Sequence, residues 1–135
     1  MGAMRVGTVS ELWRYPVKSM VGERLAAAEV SWHGVEGDRR WAFVRPGLER
    51  SSFPWLTIRE LPEMAHFTPF FTEPERPEES PTVVRTPEGE ELDVADPALA
   101  ARLGDGVRVI KQNRGAPDIA PLSLMSTATI AGLAR

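Results

Sequence analysis

Turn chemistry interrupts the first part of this chain so often that only short strands can form there. Turns at residues 19–22, at 34–38 (GVEGD) and at Pro46-Gly47 leave extended runs between them. Residues 5–13 are rich in Val, Thr and Trp and stop before Tyr15-Pro16, where helix continuation is disfavoured. Ala26, Ala28, Val30 and Trp32 alternate with Glu29 and Ser31, the pattern of a second strand with one apolar face. Residues 40–45 (RWAFVR) make a third. The expectation is a meander.

Further along, Leu61, Met64, Ala65 and Phe67 suit one short helical turn, bounded by Pro62 and Pro69. Residues 73–81 (EPERPEESP) are acidic and proline-rich, which predicts an exposed connector. Strands over 82–86 and 91–94 flank the hairpin signal Pro87-Glu88-Gly89-Glu90. Asp96 caps a helix that begins at Pro97, runs through Leu103 and stops at Gly104. Residues 107–111 return as a strand. Ser126 then caps a helical segment over 127–135 with Ile130 and Leu133 on one face. The fold class predicted is mainly β with short helices (α+β). The last segment has few residues left to pack against, which reads as a fragment or truncated gene.

Composition removes several kinds of function. The 135 residues contain no cysteine, which excludes a disulfide scaffold, a thiolate metal site and a cysteine nucleophile in this chain. Two histidines, His33 and His66, do not fall in an HExxH pattern. His33 reads as a structural or surface residue. A net charge of −3 and a pI near 5.4 offer no basic field for a nucleic-acid backbone. No apolar run approaches the ~20 residues that span a bilayer. The start of the chain lacks an apolar leader core, so the expected location is cytoplasmic.

The chemistry sits in two strand-end turns. Tyr15-Pro16-Val17-Lys18-Ser19 offers an ammonium, a hydroxyl and backbone N–H groups within one turn. Residues 34–41 (GVEGDRRW) bring Arg39, whose planar fork of donors suits a phosphate. Gly34 and Gly37 permit positive φ or a close approach of backbone to ligand. Side by side, the turns would make a small pocket for a phosphorylated anion. On the residues alone the plainer reading stands beside it: Lys18 is solvated, and Arg39 pairs with Asp38 or another carboxylate. The tryptophans Trp13, Trp32, Trp41 and Trp55 read as core and rim.

The order of the motifs resembles a known family. YPVKS, followed by GVEGDRRW, resembles the opening of the MOSC N-terminal β-barrel domain; residues 56–62 (LTIRELP) and 118–126 (DIAPLSLMS) resemble its later blocks. The resemblance implies a β-barrel domain over residues 1–117 and the beginning of a MOSC domain over 118–135. Members of this kind hold the molybdenum cofactor, molybdopterin. Those similar to the mitochondrial amidoxime-reducing component reduce N-hydroxylated compounds, and related domains close the cofactor sulfurases. By resemblance, Lys18, Ser19 and Arg39 would contact the phosphate and pterin end of the cofactor, with Thr57 and Arg59 as further lining. No catalytic residue and no metal ligand is expected within this chain: the ligating cysteine and the arginine-rich segment of the family fall beyond residue 135. Met20 stands where relatives often carry Cys.

Three charge-assisted hydrogen bonds contribute roughly 5–9 kcal/mol in gross terms, against ~4–15 kcal/mol to immobilise a ligand. The isolated chain is therefore expected to retain the cofactor weakly or not at all. Its expected partners are a MOSC domain in cis or a second copy of the chain, with an electron-transfer protein beyond; no nucleic acid or membrane is expected. The competing reading is a stand-alone β-barrel binding module without redox chemistry, able to dimerise through Ile130 and Leu133.

Overall fold

The computed structural model describes residues 2–115 and 120–134. Nine short strands, two α-helices and one 3₁₀ turn are present among them. Strands β1 (Leu12–Arg14) and β2 (Glu23–Leu25) pair antiparallel, with Trp13 opposite Arg24. Strands β3 (Val30–Ser31) and β4 (Gly34–Val35) form a small hairpin. Strand β5 (Trp41–Val44) pairs with β9 (Arg108–Lys111). The 3₁₀ turn Pro62–His66 leads into β6 (Thr68–Phe71), which joins β7 (Thr82–Arg85) and β8 (Glu91–Asp93) in a three-stranded sheet. Helix α1 (Pro97–Leu103) precedes β9, and α2 (Thr127–Leu133) follows it.

The mainly β class with two short helices is as read from the sequence. Closure is not: the pairings form four small sheets and no single closed barrel among the described residues. Strands of two to four residues make too few ladder bonds to run from sheet to sheet, and isolated bridges (Val17 to Trp41, Val44 to Trp55) join the pieces instead.

The meander also fails at its third step. β5 leaves β2 aside and pairs with β9, because the turn before it carries the chain back to Val17. The first strand is shorter than 5–13. Its partner β2 has three residues, so the chain before Leu12 has nothing to pair with, and Val6 and Val9 lie exposed. The proposed apolar face of the second strand breaks up likewise: residues 26–29 are irregular, and Trp32 stands 96% exposed at the β3–β4 tip, where no layer covers it. Trp13 is exposed too. Of the tryptophans, Trp41 packs against the core and Trp55 is half-buried.

The later elements follow local rules closely. The Asp96 carboxylate accepts from the Ala98 N–H at 2.9 Å, Pro97 opens α1, and Leu99 and Leu103 bury one face four residues apart. That face meets Val17, Phe43, Met64 and Val84 in the main core. Full burial of such side chains stabilises by roughly 1.5–3 kcal/mol each. Met20 is buried in the same cluster and is a packing position. Ser126 caps α2 through the Thr129 N–H, and Ile130 and Leu133 remain exposed. The boundary expected between 117 and 118, with Asp118 and Ile119, lies outside the described residues. No helix among the described residues is long and apolar enough to cross a membrane.

Candidate functional site

The two turns lie side by side. Strand β1 ends at Arg14, and the Tyr15 N–H donates to the Asp38 carboxylate at 2.8 Å. In return the Arg39 N–H donates to the Tyr15 carbonyl at 2.5 Å. Further along both turns, the Lys18 N–H donates to the Trp41 carbonyl at 2.9 Å and the Trp41 N–H donates to the Pro16 carbonyl at 3.4 Å. Four bonds thus lace 15–18 to 38–41.

Backbone strain marks the same place. Ser19 (φ 71°) and Arg39 (φ 49°) are the non-glycine residues found with positive φ among the described residues. Left-handed backbone costs an L-residue roughly 1–2 kcal/mol, so it persists where surroundings impose it. Here the lacing does so at Arg39, and the turn closed by the Met20 N–H on the Val17 carbonyl does so at Ser19.

Carboxylates hold the arginines of this region. Arg39 directs Nε to Asp38 at 2.7 Å and Nη2 to the Pro121 carbonyl at 2.8 Å. Arg40 is buried; its Nε meets Glu78 at 3.1 Å and its Nη1 meets the Asp38 carbonyl at 2.9 Å. The same Glu78 oxygen accepts from the Gly37 N–H at 2.9 Å. Arg14, also buried, pairs with Glu23, donates to the Glu36 carbonyl and lies 4.8 Å from the centre of the Phe71 ring. Lys18 is 4% exposed, with its ammonium 5.6 Å from the centre of the Phe53 ring. The pairing of Arg39 with Asp38 is the one the plainer sequence reading allowed. The solvated Lys18 of that reading is absent.

Gly37 has the positive φ its turn needs, and so has Gly34. Their missing side chains make room for the protein itself. A Cβ on Gly37 would lie 2.7 Å from Pro77, and one on Gly34 would lie 2.7 Å from the Pro121 carbonyl oxygen. This corrects in part the expectation for residues 73–81, of which 73–76, 79 and 81 are exposed as expected. Glu78 and Pro77 fold back onto the second turn, and Pro77 and Ser80 are buried. Spacing gave no sign of it, since Glu78 acts on partners 38 and 41 residues away.

Thr57 and Arg59 occupy a separate turn. The Thr57 hydroxyl and N–H both donate to Glu60, at 2.7 and 2.9 Å, and the Thr57 carbonyl accepts from the Glu60 and Leu61 N–H groups. The Thr57 hydroxyl bond, followed by its backbone bond, holds the Glu60 carboxyl below its usual range. Arg59 is exposed, while Thr57 is buried. A cleft of about 210 Å³ opens beside Arg14, Glu36 and Pro77, and none of Lys18, Ser19, Arg39, Thr57 or Arg59 lines it.

The donor set fits one end of a phosphorylated cofactor and not its metal. Arg39, with a 22% exposed side chain, and half-buried Ser19 are within reach of an anion; Lys18 and Thr57 are enclosed and serve as frame. The chain has no thiolate, and no group of three His, Asp or Glu among the described residues could hold a metal ion.

Residues 6–120 match the MOSC N-terminal beta barrel domain, a span that includes both turns and the 57–61 turn. The chain belongs to this family, whose members are generally associated with the molybdenum cofactor. No curated protein and no solved structure matches the chain.

Proposed function

We propose that this domain supplies the phosphate-holding edge of a molybdopterin site. Arg39 and Ser19 would grip the phosphate and pterin end on the turn that buried Lys18 frames, with Arg59 as outer lining and Thr57 as its buried support, while a MOSC domain would supply the metal ligand. The whole would serve reduction of N-hydroxylated substrates or sulfur transfer. The observation that carries this reading is the lacing of 15–18 to 38–41, which sets a guanidinium and a strained serine turn on one rigid piece of backbone. Pre-organisation of this kind lowers the ordering cost that a bound anion must offset.

Nuclear magnetic resonance with inorganic phosphate tests it. Amides of 17–19 and 38–41 are expected to shift together, with a Kd on the order of millimolar, equivalent to about −4 kcal/mol. Arg39→Met should weaken binding roughly tenfold, the value of one hydrogen bond to a charged donor. Shifts scattered over the surface, or equal affinity in R39M, would remove the basis for the assignment.

A further inference from the structure

The segment around Pro121 meets the candidate anion site at two points. Its carbonyl oxygen accepts from Arg39 Nη2 at 2.8 Å, and the same oxygen sits where a side chain on Gly34 would be. The Pro121 Cβ would lie 3.2 Å from a Gly34 Cβ, so ring and carbonyl share one seat on the β3–β4 hairpin.

A guanidinium can grip an oxyanion with two prongs along its Nε/Nη2 edge or its Nη1/Nη2 edge. Asp38 holds Nε at 2.7 Å, which leaves the Nη1/Nη2 edge for a ligand. The Pro121 carbonyl already takes up Nη2, one of the two nitrogens of that edge, and its lone pairs would repel a phosphate oxygen arriving there. Resting on the anion-site reading above, we infer that the segment carrying Pro121 is a strap that competes with phosphate for Arg39: a docked strap lowers anion affinity, and a bound anion lifts the strap.

Because the chain has no cysteine, Ser123→Cys gives one labelling position on the exposed stretch beside Pro121. Fluorescence anisotropy of a dye there reports strap mobility, and nuclear magnetic resonance of the Arg39 amide reports phosphate binding separately. Phosphate should lower the anisotropy with the midpoint seen at Arg39. Gly34→Ala, which puts a methyl on the carbonyl's seat, should free the strap without phosphate and tighten phosphate binding by roughly three- to tenfold, up to the value of the charged hydrogen bond it removes. Gly34 has φ 92°, so this variant is strained. Pro121→Gly, an exposed change that loosens the strap from its own side, should give the same signs.

Phosphate saturation at Arg39 with unchanged anisotropy overturns the strap and leaves the anion site standing. Freed straps in G34A and P121G with unaltered phosphate affinity do the same. Absence of any phosphate effect at Arg39 in all three chains overturns the site and the strap together.

Discussion

Glu78→Ala should destabilise this domain far more than Glu79→Ala, although the two glutamates are neighbours in an acidic, proline-rich stretch. One Glu78 oxygen accepts from the Gly37 N–H and from Arg40 Nε. Gly37 is buried, so its orphaned N–H would cost about 1–3 kcal/mol. Arg40 would lose its ionic partner while only 3% exposed. Breaking a fully buried pair costs ~3–5 kcal/mol. Two facts reduce that figure here: Glu78 is 37% exposed, so water reaches the vacated place, and Arg40 Nη1 keeps the Asp38 carbonyl. A share of about 1–2 kcal/mol remains, and the sum is about 3 kcal/mol. Glu79 is exposed and pairs with Arg76 three residues away, a contact that contributes at most ~0.5 kcal/mol.

Urea unfolding followed by tryptophan fluorescence measures both variants, with the slope checked so that the difference is one of stability. For a chain between the small and middle size classes, about 3 kcal/mol corresponds to a fall in Tm of roughly 10 °C. A double-mutant cycle with Arg40→Met isolates the pair, and a coupling above ~1 kcal/mol is expected for residues in direct contact. Equal, sub-1 kcal/mol effects of E78A and E79A would refute the reasoning and restore residues 73–81 as a solvated connector.

Ser19→Gly should be neutral to stabilising by up to about 1 kcal/mol, because relief of the left-handed strain exceeds the backbone entropy glycine adds; calorimetry decides, and a loss above ~1 kcal/mol would show that the hydroxyl holds the turn. Glu60 gives a pH dependence. Its folded carboxyl is held below the usual 4.5, so its contribution is present above that value and is lost as pH falls through the lower folded value. Glu60→Gln should therefore flatten the acid limb of the stability profile below about pH 5, and an unchanged limb would assign acid loss to other carboxylates.

What could be read from the sequence was local. The Asp96 cap with Pro97, the Pro87–Glu90 turn and the Ser126 cap each bond within four residues, so the side chains that make them are adjacent in the sequence. Pairing partners were not legible in this way. β5 meets β9 across more than sixty intervening residues, and nothing in RWAFVR names RVIK as its complement. The two turns were legible as polar strand ends with glycine and charge, and the glycines have the positive φ expected, but the protein segments that approach them were not legible. Gly34 and Gly37 are approached by Pro121 and Pro77, long-range contacts of which one falls in a block read only by resemblance and the other in a stretch that composition assigned to an exposed connector. Trp32 misled for a related reason: alternation predicts a face, but burial needs a second layer, and the two-residue arms of its hairpin have none.

Paired carboxylates, near and far in the sequence, bear on how strongly the proposed site could attract a ligand. Arg39 is matched by Asp38, Arg40 by Glu78 and Arg14 by Glu23, so the cluster carries far less net positive potential than its arginine count implies. A phosphate approaching from salt water is steered little by a field already cancelled at close range. Any gain would have to come from the Arg39 guanidinium and the Ser19 turn, whose placement the lacing fixes, since the laced N–H groups of Tyr15, Lys18, Arg39 and Trp41 already donate within the protein. A site built this way favours geometry over attraction. On the proposed reading it would hold an anion weakly alone and tightly only when a second set of contacts fixes the rest of the molecule, because the second grip would then act at high effective concentration.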